Sequence, residues 1–218
     1  GPRAIDARTT RAAGCDMSSL AAGASADHPP AEVDVYEEKA LGFWIYLMSD
    51  AIIFALLFAT YVVMAPNNAD GPTGKTLFDL SRTFGETMLL LFSSITFGFA
   101  SVAIWRGKRA LALTWLAVTF VLGAAFVALE IGEFAGMYEQ GAGPQRSGFL
   151  SAFFALVGTH GLHVSMGLIW IVILSLQVLV KGLTEPVASR LFRLGLFWHF
   201  LDIVWIGIFS IVYLPGVL

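Results

Sequence analysis

Five apolar segments, each about as long as a membrane is thick, constrain this chain more than any other feature. They run approximately 41–64, 84–105, 110–132, 149–180 and 191–214. A hydrocarbon core of roughly 30 Å is crossed by about 20 helical residues. In that medium each backbone N–H and C=O must be satisfied inside its own segment, which leaves the α-helix as the structure for separate apolar spans. The expectation is an all-α integral membrane bundle of five transmembrane helices. The fourth segment is the longest; at about 1.5 Å per residue it exceeds the bilayer, so it is tilted or extends into solvent. Pro215-Gly216 is expected to end the fifth. Composition agrees, with 57% hydrophobic and 13% charged residues, against about 25% charged in a soluble domain.

The same composition excludes several classes of function. A net charge of −3 argues against a nucleic-acid partner. The single cysteine, Cys15, excludes an internal disulfide and a Cys-rich metal site. It follows AAG, as in a lipoprotein cleavage site, but GPRAIDARTTR upstream is no apolar signal region, and that reading is rejected. Residues 1–38 are rich in Ala, Ser, Asp, Glu and Pro and read as a disordered tail, followed by a transmembrane domain over 39–218. The numbering begins at Gly1, and residues 1–16 are expected to be an over-extended or added segment, with Met17 as the natural start.

Lys and Arg set the expected orientation. Lys39, Arg106, Lys108, Arg109, Lys181, Arg190 and Arg193 fall on one side of the membrane, seven in all; Lys75, Arg82 and Arg146 fall on the other. The excess places the N-terminus in the cytoplasm and the C-terminus outside. Trp44, Trp105, Trp170 and Trp205 are candidates for interface or packing aromatics.

Each ionisable residue then acquires a depth. Asp50, His160, His163, His199 and Asp202 lie at mid-depth; Glu86, Glu130 and Glu133 lie near the outer surface. Ionisable groups at such depths are costly, so they face protein, pair, or serve a pathway. His160 and His163 are three apart, as are His199 and Asp202, and each pair shares a helix face. A redox metal or haem site needs converging ligands, and three histidines outside the tail, with no HExxH or Cys-rich motif, are too few. No catalytic, cofactor-binding or metal-ligating residue is assigned. Two readings stay open: interhelical hydrogen bonding, typically about 0.5–2 kcal/mol per bond, and a proton path through His and Asp. Gly158, Gly161 and Gly167 suit the first, because small residues admit a neighbouring helix. Asp50 has no second ionisable group in its segment; it is either a functional carboxyl or one hydrogen-bonded to Ser49 or a neighbouring helix.

ADGPTGKT at 69–76 satisfies a relaxed phosphate-loop pattern. A working loop of that kind joins a strand to a helix. This one follows a membrane span and contains Pro72, so it reads as a turn.

GFWIYLMSD, LLLFSSITFG, LEIGEF, GPQRSGFLSAFFALVGTHGLHV and FWHFLDIVWIGIFSIVYL, in successive spans, together resemble subunit III of the haem–copper oxidases. The pattern is most similar to the five-helix subunit III of the bo-type ubiquinol oxidases and covers residues 40–218. THGLHV with WHFLDIVW is its most specific part. The resemblance implies a multi-pass subunit of a bacterial cytoplasmic membrane complex that oxidises ubiquinol, reduces oxygen to water and pumps protons. It implies no cofactor in this chain, haem and copper in a catalytic subunit I, further partners in subunit II and a small subunit IV, and bound phospholipids. It also implies a role in assembly, stability and proton uptake. By the same resemblance, Asp50 falls at the family's membrane carboxylate, His160 and His163 at its fourth-span histidines, His199 and Asp202 at its WHFxD pair, and Glu130 and Glu133 at its third-span carboxylates. Seven-helix relatives have two further N-terminal spans and usually Glu at the Asp50 position. The alternatives are a stand-alone proton or ion transporter using the mid-depth His/Asp layer, subunit III of a cytochrome c oxidase, and a membrane metalloenzyme.

Overall fold

The computed structural model describes residues 32–66 and 80–217. The tail with Cys15 and Met17, and the 69–76 turn with Lys75, lie outside the described residues. Among the described residues there are helices and no strands: α1 (Glu32–Met64), α2 (Leu80–Trp105), α3 (Arg109–Glu139), α4 (Gly148–Lys181), α5 (Glu185–Ile208), a π-helical turn over Phe209–Tyr213, and a last turn, α6 (Leu214–Val217). Five helices are long and apolar enough to cross a membrane: Leu41–Met64, Ser81–Trp105, Arg109–Glu139, Gly148–Lys181 and Glu185–Tyr213. The chain divides into two compact units, Gly1–Lys39 and Ala40–Leu218. Of the first, the described part is the start of α1; all packing below belongs to the second.

The helix ends follow local chemistry. Ser147 caps α4, its hydroxyl accepting from the Leu150 N–H at 3.2 Å. Gly182 closes the same helix at φ 75°, in the left-handed region that favours glycine. Pro186 sits in the first turn of α5, where its missing N–H costs nothing. Two ends differ from the sequence expectation. Helix α3 runs on to Glu139, past Gly132 and Gly136 and beyond the expected 132, which puts Glu133 inside the helix. The fifth span ends at Tyr213, just before Pro215 as expected, but helical backbone runs on past it in a last turn to Val217. Proline removes a donor from the helical ladder, and the turn just before it opens to π geometry, a known way for a helix to absorb such a defect.

Helices α2, α3, α4 and α5 form a closed ring in which α2 packs on α3, α3 on α4, α4 on α5 and α5 on α2. Large aromatics fill the middle: Phe126, Phe153, Trp198, Trp205 and Tyr213 are all buried. Helix α1 stands off from this ring and reaches it through side chains on one stripe. Phe43 meets Trp170, Phe54 meets His160, His163 and Phe200, and Tyr61 meets Phe149. Lipid tails are as apolar as the helices, so association rests on such packing and on interhelical hydrogen bonds rather than on water exclusion.

The tryptophans divide clearly. Trp105 is 85% exposed and Trp44 51%, at the rims, whereas Trp205 is fully buried and belongs to the core. Of the three α4 glycines singled out in the sequence, Gly158, Gly161 and Gly167, only Gly167 has a tight neighbour. A Cβ there would lie 3.0 Å from the Trp198 ring; at Gly158 the nearest atom is 3.8 Å away and at Gly161 nothing lies within 4 Å. What approaches Gly167 is an indole, not the backbone of a neighbouring helix.

Candidate functional site

The eight ionisable residues singled out in the sequence fall into three separate groups. The first joins α1 to α4. Asp50, buried on the inner stripe of α1, places Oδ2 3.3 Å from Nε2 of His163, an ion-pair distance without hydrogen-bond alignment. The other ring nitrogen of His163, Nδ1, lies 2.8 Å from the Thr159 carbonyl. A carbonyl only accepts, so Nδ1 carries a proton and donates. Asp50 therefore has an ionisable partner on a neighbouring helix; Ser49 is spent on the Tyr46 carbonyl at 2.7 Å and does not reach it.

His160 stands beside this pair but outside any hydrogen bond. Its imidazole is fully buried, stacked on Trp205 at 5.3 Å and edge-on to Phe54 and Phe126. Neither nitrogen has a hydrogen-bond partner among the described residues. The contact it makes between helices is aromatic.

The second group joins α2 to α5. His199 Nδ1 lies 2.7 Å from the Ser94 hydroxyl, and the same serine bonds the Asp202 side chain. Next to His199 on α5, Trp198 donates to Ser93 Oγ, and two turns on Trp205 donates to Thr87 Oγ1, each at 3.1 Å. Sequence reasoning missed these two bonds. The available signal was the spacing: Trp198 and Trp205 are seven apart and share a helix face, and α2 carries hydroxyls at 87, 93 and 94. Among the described residues no hydrogen bond or ion pair joins the Asp50–His163 group to the His199–Asp202 group.

The third group lies at the end of the bundle where α2 begins and α3 and α5 finish. Arg82 faces Glu86, with Nε 3.5 Å from Oε1, and donates to the Leu129 carbonyl at 2.7 Å. Glu130 and Glu133 share this environment, and Tyr213 on the π-helical turn places its hydroxyl 3.4 Å from Glu133 Oε2. Neither Arg82 nor Tyr213 figured in the sequence reading of this layer.

Among the described residues, no three His, Cys, Asp or Glu side chains are grouped so as to hold a metal ion. Five membrane-crossing helices joined by hydrogen-bonded pairs and aromatic contacts along separate seams define a multi-pass helical membrane protein. The family described as cytochrome c oxidase subunit III matches residues 21–217, and the chain belongs to that family. It is 56% identical to the cytochrome bo(3) ubiquinol oxidase subunit 3 of Pseudomonas putida over 85% of this chain and 89% of the relative. It is 50% identical to the protein of the same name from Pseudomonas aeruginosa, over 88% and 91%. Against the cytochrome c oxidase subunit 3 of Alkalihalophilus pseudofirmus it is 41% identical, over 87% and 93%.

Proposed function

We propose that this chain is the subunit III of a proton-pumping ubiquinol oxidase in a bacterial cytoplasmic membrane, with its N-terminus in the cytoplasm. The observation that carries the reading is the 56% identity to a ubiquinol oxidase subunit 3 across most of both chains. The geometry supports a supporting role. Asp50, His163, His199 and Asp202 pair locally across two helix seams, His160 is boxed in aromatics, and Glu86, Glu130 and Glu133 cluster with Arg82 at one end. Such groups fix helices against one another. On this reading oxygen reduction takes place on haem and copper in a catalytic subunit I, with subunits II and IV and phospholipids completing the complex. This chain supports the assembly and stability of that subunit and its uptake of protons.

Gentle purification through a tag on this chain tests the reading. Haem-bearing subunits and ubiquinol oxidase activity are expected to travel with it, and the chain on its own is expected to be colourless. A visible haem band in the pure single chain would sink the supporting role. Proton movement in vesicles holding this chain alone would favour the transporter. A second reading, subunit III of a cytochrome c oxidase, has the Alkalihalophilus relative in its favour. The electron donor accepted by the purified complex separates the two.

A further inference from the structure

We infer that the carboxyl cluster at the Arg82 end of the bundle is a proton-binding site: Glu86, Glu130 and Glu133 hold two protons between them, and those protons latch the start of α2 to the ends of α3 and the fifth span. The three groups are almost wholly buried, at 0%, 2% and 8% exposure. The charged groups that reach Glu130 are Glu86, Glu133 and Arg82, and those that reach Glu86 are Glu133 and Arg82. Three acids therefore face a single cation among the described residues. Arg82 lies 3.5 Å from Glu86 Oε1 and spends a second nitrogen on the Leu129 carbonyl. One guanidinium neutralises one carboxylate. Both oxygens of Glu130, and both of Glu86, lack a hydrogen-bond partner among the described residues. A buried carboxylate with neither a charge partner nor a donor takes up a proton instead, and carboxylates that share a site do not all stay ionised.

The surroundings add no further charge. Tyr213 brings a hydroxyl to Glu133, and beyond it lie rings: Phe153 of α4 against Tyr213, and Tyr61 of α1 against Phe149. The other two membrane carboxyls are placed differently, Asp50 facing His163 and Asp202 standing beside Ser94 and His199. The cluster is also where three elements meet: Arg82 ties α2 to the α3 backbone, and Tyr213 ties the π-helical turn to α3. Losing the two protons leaves three negative charges around one positive one, and their repulsion pushes these elements apart. An unfolded glutamate gives up its proton near about pH 4.3. Above that value unfolding releases the bound protons, so stability falls as pH rises until the folded cluster loses them as well. Each retained proton makes unfolding about tenfold more favourable per pH unit. With the N-terminus in the cytoplasm, as proposed above, this end faces the side to which protons are pumped, so the latch closes while the complex works.

The test takes the full chain as it purifies, with whatever subunits accompany it, and compares it with Glu130→Gln, which keeps the shape of the side chain and needs no proton. Thermal unfolding followed by tryptophan fluorescence is run between about pH 5 and pH 8. The unsubstituted chain is expected to lose stability as pH rises, and Glu130→Gln to lose it less steeply, by the tenfold per pH unit that one proton contributes. Infrared spectra of the unsubstituted chain at neutral pH are expected to show the C=O stretch of a protonated carboxylic acid, which fades on alkaline titration and is diminished in Glu130→Gln. Equal pH dependence in the two proteins overturns the proposal. So does the absence of a carboxylic-acid band that titrates in the unsubstituted chain, a result that holds even where Glu130→Gln fails to fold. Impermeant labelling of Thr184→Cys instead of Gln145→Cys in intact cells would overturn the link to pumped protons, and with it the proposed orientation.

Discussion

Adding one methyl group at Gly167 is expected to destabilise the bundle, while the same change at Gly161 is not. A Cβ at Gly167 would stand 3.0 and 3.2 Å from two atoms of the Trp198 indole and 3.3 Å from the Phe197 ring, inside the roughly 3.5–4.0 Å of an ordinary carbon contact. The indole cannot slide away. A Cβ at Gly123 would meet the same ring at 2.9 Å, so glycines of both α3 and α4 stand against it, and its N–H is fixed to Ser93. Overpacking of this kind costs about 1–3 kcal/mol. Replacing a helical glycine by alanine returns up to about 1 kcal/mol of propensity. That gain is common to both positions, so the difference between Gly167→Ala and Gly161→Ala isolates the steric part. For a protein of this size about 1 kcal/mol moves the melting temperature by roughly 2–4 °C. Thermal unfolding of the purified variants in detergent, followed by tryptophan fluorescence, is expected to place Gly167→Ala several degrees below Gly161→Ala. In a Trp198→Phe background, where the larger ring is gone, the gap is expected to shrink. Equal melting temperatures, or a gap unaffected by Trp198→Phe, would refute the clamped-indole explanation.

His160 and His163 are expected to part company on substitution. His160→Leu removes two unpaired nitrogens, a relief of about 1–3 kcal/mol, and loses aromatic stacking of about 0.5–1.5 kcal/mol, so its melting temperature is expected to hold or rise. His163→Leu strands Asp50 without its partner and is expected to lower it; the reverse order would contradict the pairing. For topology, in a Cys15→Ser background an impermeant thiol reagent is expected to label Gln145→Cys in intact cells and to spare Thr184→Cys. Labelling at 184 would invert the proposed orientation.

Much of the bundle was legible because a membrane imposes a simple rule on sequence: runs of apolar residues must be helices, and their number and approximate limits can be read directly. The ends were less so. Gly132 and Gly136 are weak helix formers in water but do not stop a helix whose alternative is unpaired backbone, and Pro215 is accommodated by a π-helical turn that has no sequence marker. The ionisable residues could be placed by depth, since depth depends only on position along a span. Their partners could not, because partnership depends on how helices are rotated and how close they stand. Hence Asp50 was seen without His163, the aromatic box that holds His160 in place of hydrogen bonds among the described residues was not foreseen, and the ties from Trp198 to Ser93 and from Trp205 to Thr87 went unseen. The resemblance carried by THGLHV and WHFLDIVW named a family, and the family match bears it out, but neither of these locates a contact.

The most direct test of a supporting rather than catalytic role is the initial rate of ubiquinol-driven oxygen consumption per haem in the purified complex, with this chain present and with it selectively removed by detergent. The initial rate and the haem spectrum are expected to be retained without it, while activity decays sooner during turnover and on heating. An immediate fall of tenfold or more, about 1.4 kcal/mol of barrier, with the haem spectrum unchanged, would contradict the supporting role and place a step of the reaction in this chain.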